Sequence, residues 1–419
     1  MTADAATNWS RNIRYQAERI VAPRSMDELR ALVTEAESIK ALGSRHSFNR
    51  IADTTGTLVT TADLDIPLEI DADRRRVRVN GGIRYGELAG VLESSGWALA
   101  NLASLPHISI AGAISTGTHG SGDANRSLAA AVTGLEILTS TGDIVSFAEG
   151  DADLAGAVVG LGALGIVTTV ELAIEPTFTV AQTVYDAIPF DEVVGSFDEM
   201  TSSAYSVSLF TTFRDRDVVD QVWRKARTDA ASAALPAALS HREAPEPRHP
   251  LPGVAADACT TQGGHAGPWL DRLPHFKLEF TPSNGDELQS EFLVPRAHAV
   301  SALSAVRDLA ETLAPVLQVC EVRTIAADDL WLSPAQGRDS VGLHFTWTAD
   351  EAGVAGVLPA LESALAPFDA RPHWGKVFSP RDPAEFAALY PGWTRFGELR
   401  ERLDPRRAFA NDLTRSLGL

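Results

Sequence analysis

Residues 101–122 constrain this chain more than any other stretch: they contain no aspartate, glutamate, lysine or arginine, yet they are not a hydrophobic run. Glycines stand at 112, 117, 120 and 122, and Ser104, Ser109, Ser115, Thr116, Thr118 and Ser121 supply hydroxyls. Such a composition makes a poor helix and a poor strand. It is too apolar for disorder, and a loop this long inside a compact domain is usually functional. Backbone amides and hydroxyls at that density can saturate a buried polyphosphate at close range. The segment is therefore expected to wrap a large ligand.

An earlier stretch has the same character. Residues 41–49 follow an expected strand at 39–42 and set Gly43, Ser44, Arg45 and Ser47 around His46. Glycine lets backbone approach a ligand, successive N–H groups can hold phosphate oxygens, and a neutral imidazole is a nucleophile. Taken alone, the motif fits a surface turn equally well.

At 419 residues the chain is too long for one ordinary core, so two domains are expected. A net charge of −19 argues against nucleic acid or an anionic membrane as partner and leaves a neutral small substrate. The first ten residues are polar and no apolar run approaches a membrane span. Cys259 and Cys320 are too few for a disulfide framework and lack metal-ligand spacing, so a cytoplasmic, metal-free protein with two thiols is expected. Lysine is scarce, occurring only at 40, 225, 277 and 376.

Ser25-Met26-Asp27-Glu28 forms a capping box, and Leu29, Leu32, Val33 and Ala36 follow at helical spacing. Val77 and Val79 alternate as a strand, Leu88, Val91 and Leu92 mark a helix ending near Gly96, a hairpin joins 137–138 to 144–147, and 151–159 reads as helix. Residues 160–165 match G-x-G-x-x-G. That fingerprint needs a strand before it and a helix after it, so that pyrophosphate meets a helix N-terminus. Here a helix precedes and an alternating strand, 166–174, follows. NAD binding is rejected on that order.

Beyond Pro176 the segments 177–185 and 206–213 are strand-like, which suggests a domain boundary. Residues 235–254, rich in proline and alanine, read as a surface excursion. Strands are expected at 276–280 and 288–293, and an amphipathic helix at 297–313. In an expected strand at 319–324, Glu321 and Arg323 share a face; at 342–347, His344 and Thr346 do. Each pair alone fits an exposed ion pair or a core histidine, but together they would make a polyol-binding wall. Finally, Pro372-His373-Trp374-Gly375-Lys376 delivers an imidazole, an indole and the last lysine to one tight turn.

The His46 loop, residues 104–122, Glu321 with Arg323, the Pro-His-Trp-Gly-Lys run and the ending Leu403-Asp404-Pro405 … Phe409 … Asn411 occur in the order found in the sugar-1,4-lactone oxidase group. The chain resembles the alditol (xylitol) oxidase branch of that group. The resemblance implies an α+β, two-domain vanillyl-alcohol-oxidase-type flavoprotein. Its FAD-binding domain would span 1–176, a substrate-binding domain with an antiparallel sheet 177–369, and a C-terminal return to the first domain 370–419. FAD would be covalent through His46, with Gly43, Ser44, Arg45, Ser47, Ser104, Ser109, Gly112, Thr116, Gly117, Thr118, His119, Ile166 and His373 around it. Arg323, Lys376 and His344 would be catalytic, and Ser104, Glu321, Arg323, Thr346 and Lys376 would hold substrate, all in front of flavin N5. The implied reaction oxidises a polyol's terminal hydroxyl and reduces dioxygen to hydrogen peroxide, in a monomer. The family usually has glycine where this chain has Arg45, a position that need not adopt positive φ. An aldono-1,4-lactone oxidase or dehydrogenase on the same scaffold is the nearest rival. A non-catalytic sugar-binding protein is a rival from another class, and a flavin spectrum would exclude it.

Overall fold

Two large antiparallel sheets, a small parallel one and a two-stranded antiparallel ribbon carry the chain in this computed structural model, which describes residues 7–230, 233–280 and 287–419. The first six residues of the polar N-terminal stretch lie outside the described residues. Ser25 Oγ accepts the Glu28 N–H at 3.2 Å and starts the helix Met26–Glu35, which buries Leu29 and Val33. That helix leads into Ile39–Ala41, which pairs in parallel with Thr57–Val59 and ends just before the His46 loop. A five-stranded sheet follows in the order Glu69–Asp71, Arg76–Asn80, Ile166–Ala173, Val132–Leu138, Ile144–Ala148. Val77, Val79, Val170 and Leu172 enter the core as their alternation predicts, and the hairpin pairs Leu138 with Ile144.

The eight-stranded sheet has two chemically distinct faces. Five consecutive strands matter for the site: Ser206–Thr211, Leu317–Ile325, Ser340–Thr348, Glu287–Pro295 and the short Arg371–Pro372. Leu288, Phe292, Val322, Leu343 and Phe345 point to one side and pack with Leu303 and Val306 of the helix Ala299–Asp308 and Leu358 and Leu361 of Glu351–Leu365. Burying each such side chain stabilises by about 1.5–3 kcal/mol. That apolar face also fixes the register, because a one-residue slip would drive the intervening carboxylates into the core. Glu287, Gln289, Glu291, Glu321, Arg323, His344 and Thr346 occupy the other face.

The C-terminal segment crosses the edge of this sheet, Arg371 and Pro372 pairing with Leu293 and Phe292, and then packs on the first core. Trp374, Phe386, Tyr390, Trp393 and Phe396 are buried there beside Val77 and Leu88. Asn411 Nδ2 donates to the carbonyls of Arg50, Ile51 and Asp53, locking the tail to the start of the chain. No helix among the described residues is long and apolar enough to cross a membrane. Both cysteines are free and buried.

Several local expectations are corrected. Residues 110–115 form a short helix despite their glycine, because Ile110, Ala113 and Ile114 bury one side of it. The helix expected at 151–159 shrinks to Leu154–Ala157. Residues 276–280 are not a strand: Phe276 makes one isolated bridge to Cys259, and its N–H is engaged by Ser104 O. The 235–254 excursion is only partly exposed, since Leu239 sits in the second core and His249, Pro250 and Leu251 line the cavity described below.

Arg45 has φ 65°, in the left-handed region, contrary to the expectation that this position is free of that requirement. A side chain there costs about 1–2 kcal/mol relative to glycine, which accounts for the family's glycine. Arg45→Gly should therefore unfold at or above the wild-type temperature, and Arg45→Val should lose about 1–2 kcal/mol because a β-branched residue tolerates positive φ worst. Equal melting temperatures for the two variants would contradict the strain.

Candidate active site

A cavity runs between the first core and the polar face of the large sheet. Its lining includes the His46 loop, much of residues 103–119, Gly162 and Gly165 from the glycine-rich loop, and the His373–Lys376 turn. The loops are tied to one another. Ser44 and Ser109 exchange bonds, each N–H donating to the other's hydroxyl at 3.3 and 3.0 Å. Gly43 is required there, because a Cβ would come within 2.4 Å of Ser109 Oγ. Phe48 N–H donates to Gly375 O, and Asn49 Nδ2 donates to the carbonyls of Trp374 and Lys376, both at 2.8 Å. The histidine loop and the C-terminal turn are therefore one structural unit.

His46 stacks on Trp9 with ring centroids 5.5 Å apart, and both its ring nitrogens are buried without a partner in the protein. Burial, with His107 and Lys376 nearby, lowers its pKa to about 3, so the ring is neutral at physiological pH. Trp9 is held by its N–H to Arg45 O at 2.8 Å, and Asn8 Nδ2 donates to Ser47 O at 3.0 Å.

Across the sheet the register sets polar groups in rows. Glu321, His344 and Glu291 are direct neighbours on three adjacent strands, and Val319, Thr346 and Gln289 form the next row. Glu291 is the hub: Arg323 Nη2 lies 2.6 Å from one oxygen, His119 Nε2 3.1 Å from the same oxygen, and His344 Nδ1 3.3 Å from the other. Burial alone would raise Glu291's pKa, but Arg323, His119 and His344 outweigh it and hold the carboxyl well below its usual range. Gly342 leaves the room this hub needs, since a Cβ there would stand 3.2 Å from Glu291 Oε1. An ionised carboxylate only accepts, so His344 carries its proton on Nδ1 and turns the Nε2 lone pair toward Thr346 Oγ1, 3.5 Å away. Burial also depresses the His344 pKa, against the pull of Glu291.

Arg323 Nη1 reaches across to Ser104 Oγ at 3.3 Å, and its Nε stands 3.6 Å from Glu321. Glu321 takes a second partner, His275 Nε2, at 2.8 Å. Burial would push Glu321 up, yet Arg323 and His275 keep it ionised. Lys376 donates to Gln289 Oε1 and lies 4.9 Å above the Phe48 ring, and burial lowers its pKa to about 8.

All but two of the residues expected at the site line this cavity. Gly117 instead packs toward Pro334, turning the chain at φ 68°. Ile166 faces a separate core with Leu29, Ile39 and Phe409, because alternation hands the cavity side to Val167. In the C-terminal turn His373 and Lys376 face the cavity, whereas Trp374 points away and donates to Leu332 O at 2.7 Å. Sequence reasoning missed Trp9, Lys40, His249, His275, Gln289 and Glu291, all of which line the cavity. The alternation Glu287, Gln289, Glu291 within an apolar strand was the available signal for the last two.

Residues 17–148 match the FAD binding domain family, and residues 285–417 match the D-arabinono-1,4-lactone oxidase family. An alditol oxidase from Streptomyces sp. is 47% identical over 99% of both chains. An L-gulono-1,4-lactone dehydrogenase from Mycobacterium tuberculosis is 30% identical over 98% of both chains. Cholesterol oxidase from B. sterolicum superposes with a TM-score of 0.79 over 98% of this chain and 96% of that one, at 14% identity, a likeness of fold alone.

Proposed function

This chain belongs to the alditol oxidase family of FAD-dependent oxidases, and on that premise we propose that it oxidises the terminal hydroxyl of acyclic polyols such as xylitol and sorbitol to the aldose, with dioxygen as acceptor and hydrogen peroxide as second product. The observation that carries this is the row of hydroxyl-binding groups, Glu321, His344 and Glu291 beside Thr346 and Gln289, on the cavity face of one sheet. We divide the chain at 1–176 and 370–419 around the cofactor and 177–369 over the substrate. A monomer in the cytoplasm is our reading, supported by the two buried free thiols.

The cavity fits the cofactor: neither ring nitrogen of His46 has a partner in the protein, and a covalent flavin link would use the lone pair of one of them. When bound, FAD accepts hydride from the carbinol carbon and passes the electrons to dioxygen. The protein's own part is proton transfer, orientation and charge. His344 Nε2 takes the hydroxyl proton, its other nitrogen anchored on Glu291. Arg323 and Lys376 stabilise negative charge on the reacting oxygen and on the reduced cofactor. Glu321 and Thr346 hold substrate hydroxyls while Ser104 closes the site from the opposite side.

A linear polyol can donate O–H bonds to Glu321 and Gln289, whereas a lactone offers mainly acceptors at its ring ester. Buried polar groups left unpaired discriminate strongly against the poorer partner. A peroxide-release assay across linear polyols, cyclic sugars and 1,4-lactones tests the assignment. Polyols should be turned over with oxygen and should not reduce NAD or NADP, because the 160–165 glycines lead into the strand Ile166–Ala173 rather than a helix. Lactones outrunning polyols would move the reading to the lactone rival, and polyol-dependent NAD reduction would sink the oxygen assignment.

A further inference from the structure

We propose that Lys225 and His275 are positioning residues of the polyol site: Lys225 fixes the tautomer of His275, and His275 holds the Glu321 carboxylate in place for substrate hydroxyls. The proposal rests on the reading of Glu321 as a hydroxyl ligand. Neither residue belongs to the motifs that carry the family resemblance, and Lys225 does not line the cavity.

Lys225 lies on the strand Val218–Arg227, separated from Glu321's strand by Ser206–Thr211, and is 1% exposed. Its ammonium meets three acceptors: Leu273 O at 2.5 Å, Pro274 O at 3.2 Å and His275 Nδ1 at 3.0 Å. Burial lowers its pKa to about 7, against the pull of Glu321, and in the protonated form its three N–H donors match these three groups and require a lone pair on Nδ1. The neutral ring then carries its proton on Nε2, where it donates to Glu321 Oε1 at 2.8 Å. The ring packs edge-on against the Phe210–Trp223 pair, with centroids 5.5 and 5.2 Å away, which resists a flip. The His275 backbone N–H donates to Ser104 O at 3.0 Å. One residue thus touches both Glu321 and Ser104, two residues of the cavity lining.

Without Lys225 the ring could take its proton on Nδ1 and turn a lone pair on the carboxylate, which would swing Glu321 away or favour its protonation. Glu321, which as a carboxylate only accepts, and Lys225 thus specify the same tautomer from the two ends of the ring. The histidine itself never needs to touch substrate.

Asparagine and glutamine separate the two contacts, because an Asn amide overlays Nδ1 of the histidine it replaces and a Gln amide overlays Nε2. Anaerobic stopped-flow reduction of the holoenzyme by xylitol yields Kd and the limiting rate separately. Melting temperature and flavin content confirm folding of each variant. Glu321→Gln should raise Kd by about tenfold or more, the effect of losing a charged hydrogen-bond acceptor. His275→Asn, which keeps a partner for Lys225 but withdraws the donor from Glu321, should raise Kd by a similar roughly tenfold factor, with a smaller change in limiting rate. His275→Gln should stay within about threefold of wild type because its amide still reaches Glu321. Lys225→Met should weaken binding several-fold and add nothing in the His275→Asn background, since both act through one contact. If Lys225→Met does not fold, the two amide variants decide alone. Equal Kd values for them would make His275 a packing residue and overturn the proposal. A wild-type Kd in Glu321→Gln would sink the reading of Glu321 itself, whereas a weakened Glu321→Gln beside an unaffected His275→Asn would sink only the positioning role.

Discussion

Acid-precipitated wild-type protein should keep its flavin in the pellet, and His46→Ala should release all of it. A covalent bond needs a nitrogen with a free lone pair, aimed into the cavity and not competing with protein donors. His46 lines the cavity with no hydrogen bond to either ring nitrogen, and burial holds the ring neutral, with a pKa lowered to about 3, which leaves one nitrogen its lone pair. Trp9 stacked on the ring and the Asn49 bonds to Trp374 and Lys376 carbonyls fix the loop before any ligand arrives. The remainder of the cavity does not depend on the imidazole, so His46→Ala should still bind FAD reversibly. Its reduction by polyol should be slower, because a histidyl substituent withdraws electron density from the ring. Colour lost from wild type on denaturation would refute the bond.

Much of this organisation was legible in the sequence, for identifiable reasons. Alternation placed Glu321 with Arg323 and His344 with Thr346 on common faces, because a strand's two-residue period is a local property. What alternation cannot give is which strands are neighbours. The chain order 206, 287, 317, 340 becomes the spatial order 206, 317, 340, 287, so Glu291 meets His344 and Arg323 across a crossover that no local pattern records. The scarcity of lysine was visible too, yet only Lys376 was assigned. Lys40 and Lys225 are buried and Lys376 is half-buried, and each donates to acceptors remote in sequence, such as Gly162 O and Phe409 O for Lys40. The expected strand at 276–280 hid His275, since periodicity cannot distinguish a strand from an extended loop bonded to Ser104. Arg45 shows the reverse limit: its positive φ is dictated by the loop around it, and nothing in its own side chain announces that.

Arg323→Ala and Lys376→Ala should each slow single-turnover flavin reduction by roughly a hundredfold or more, the scale of removing a preorganised charge from a dry site. Arg323 lines the cavity from the sheet and Lys376 from the turn bonded to the His46 loop, and carboxylates alone would make hydride transfer harder by repelling the negative charge that develops. Arg323 has a second duty, because it is the shortest partner of Glu291. Removing it strands a buried carboxylate on two histidines, so Arg323→Ala should also lower the melting temperature. Lys376 is the cleaner probe, because its hydrogen-bond partner Gln289 is neutral. Its depressed pKa of about 8 adds a sign that packing alone would not produce. The ammonium is present below that value and lost above it, so wild-type reduction should fall as pH rises through about 8. Lys376→Ala should be slow and lack that limb, and Lys376→Arg should move it out of the accessible range. Glu321→Gln should also impair polyol use, whereas a solvent-exposed ion pair would tolerate the change. Near-wild-type reduction in all three of Arg323→Ala, Lys376→Ala and Glu321→Gln would make these residues structural and put the reacting carbon elsewhere in the cavity.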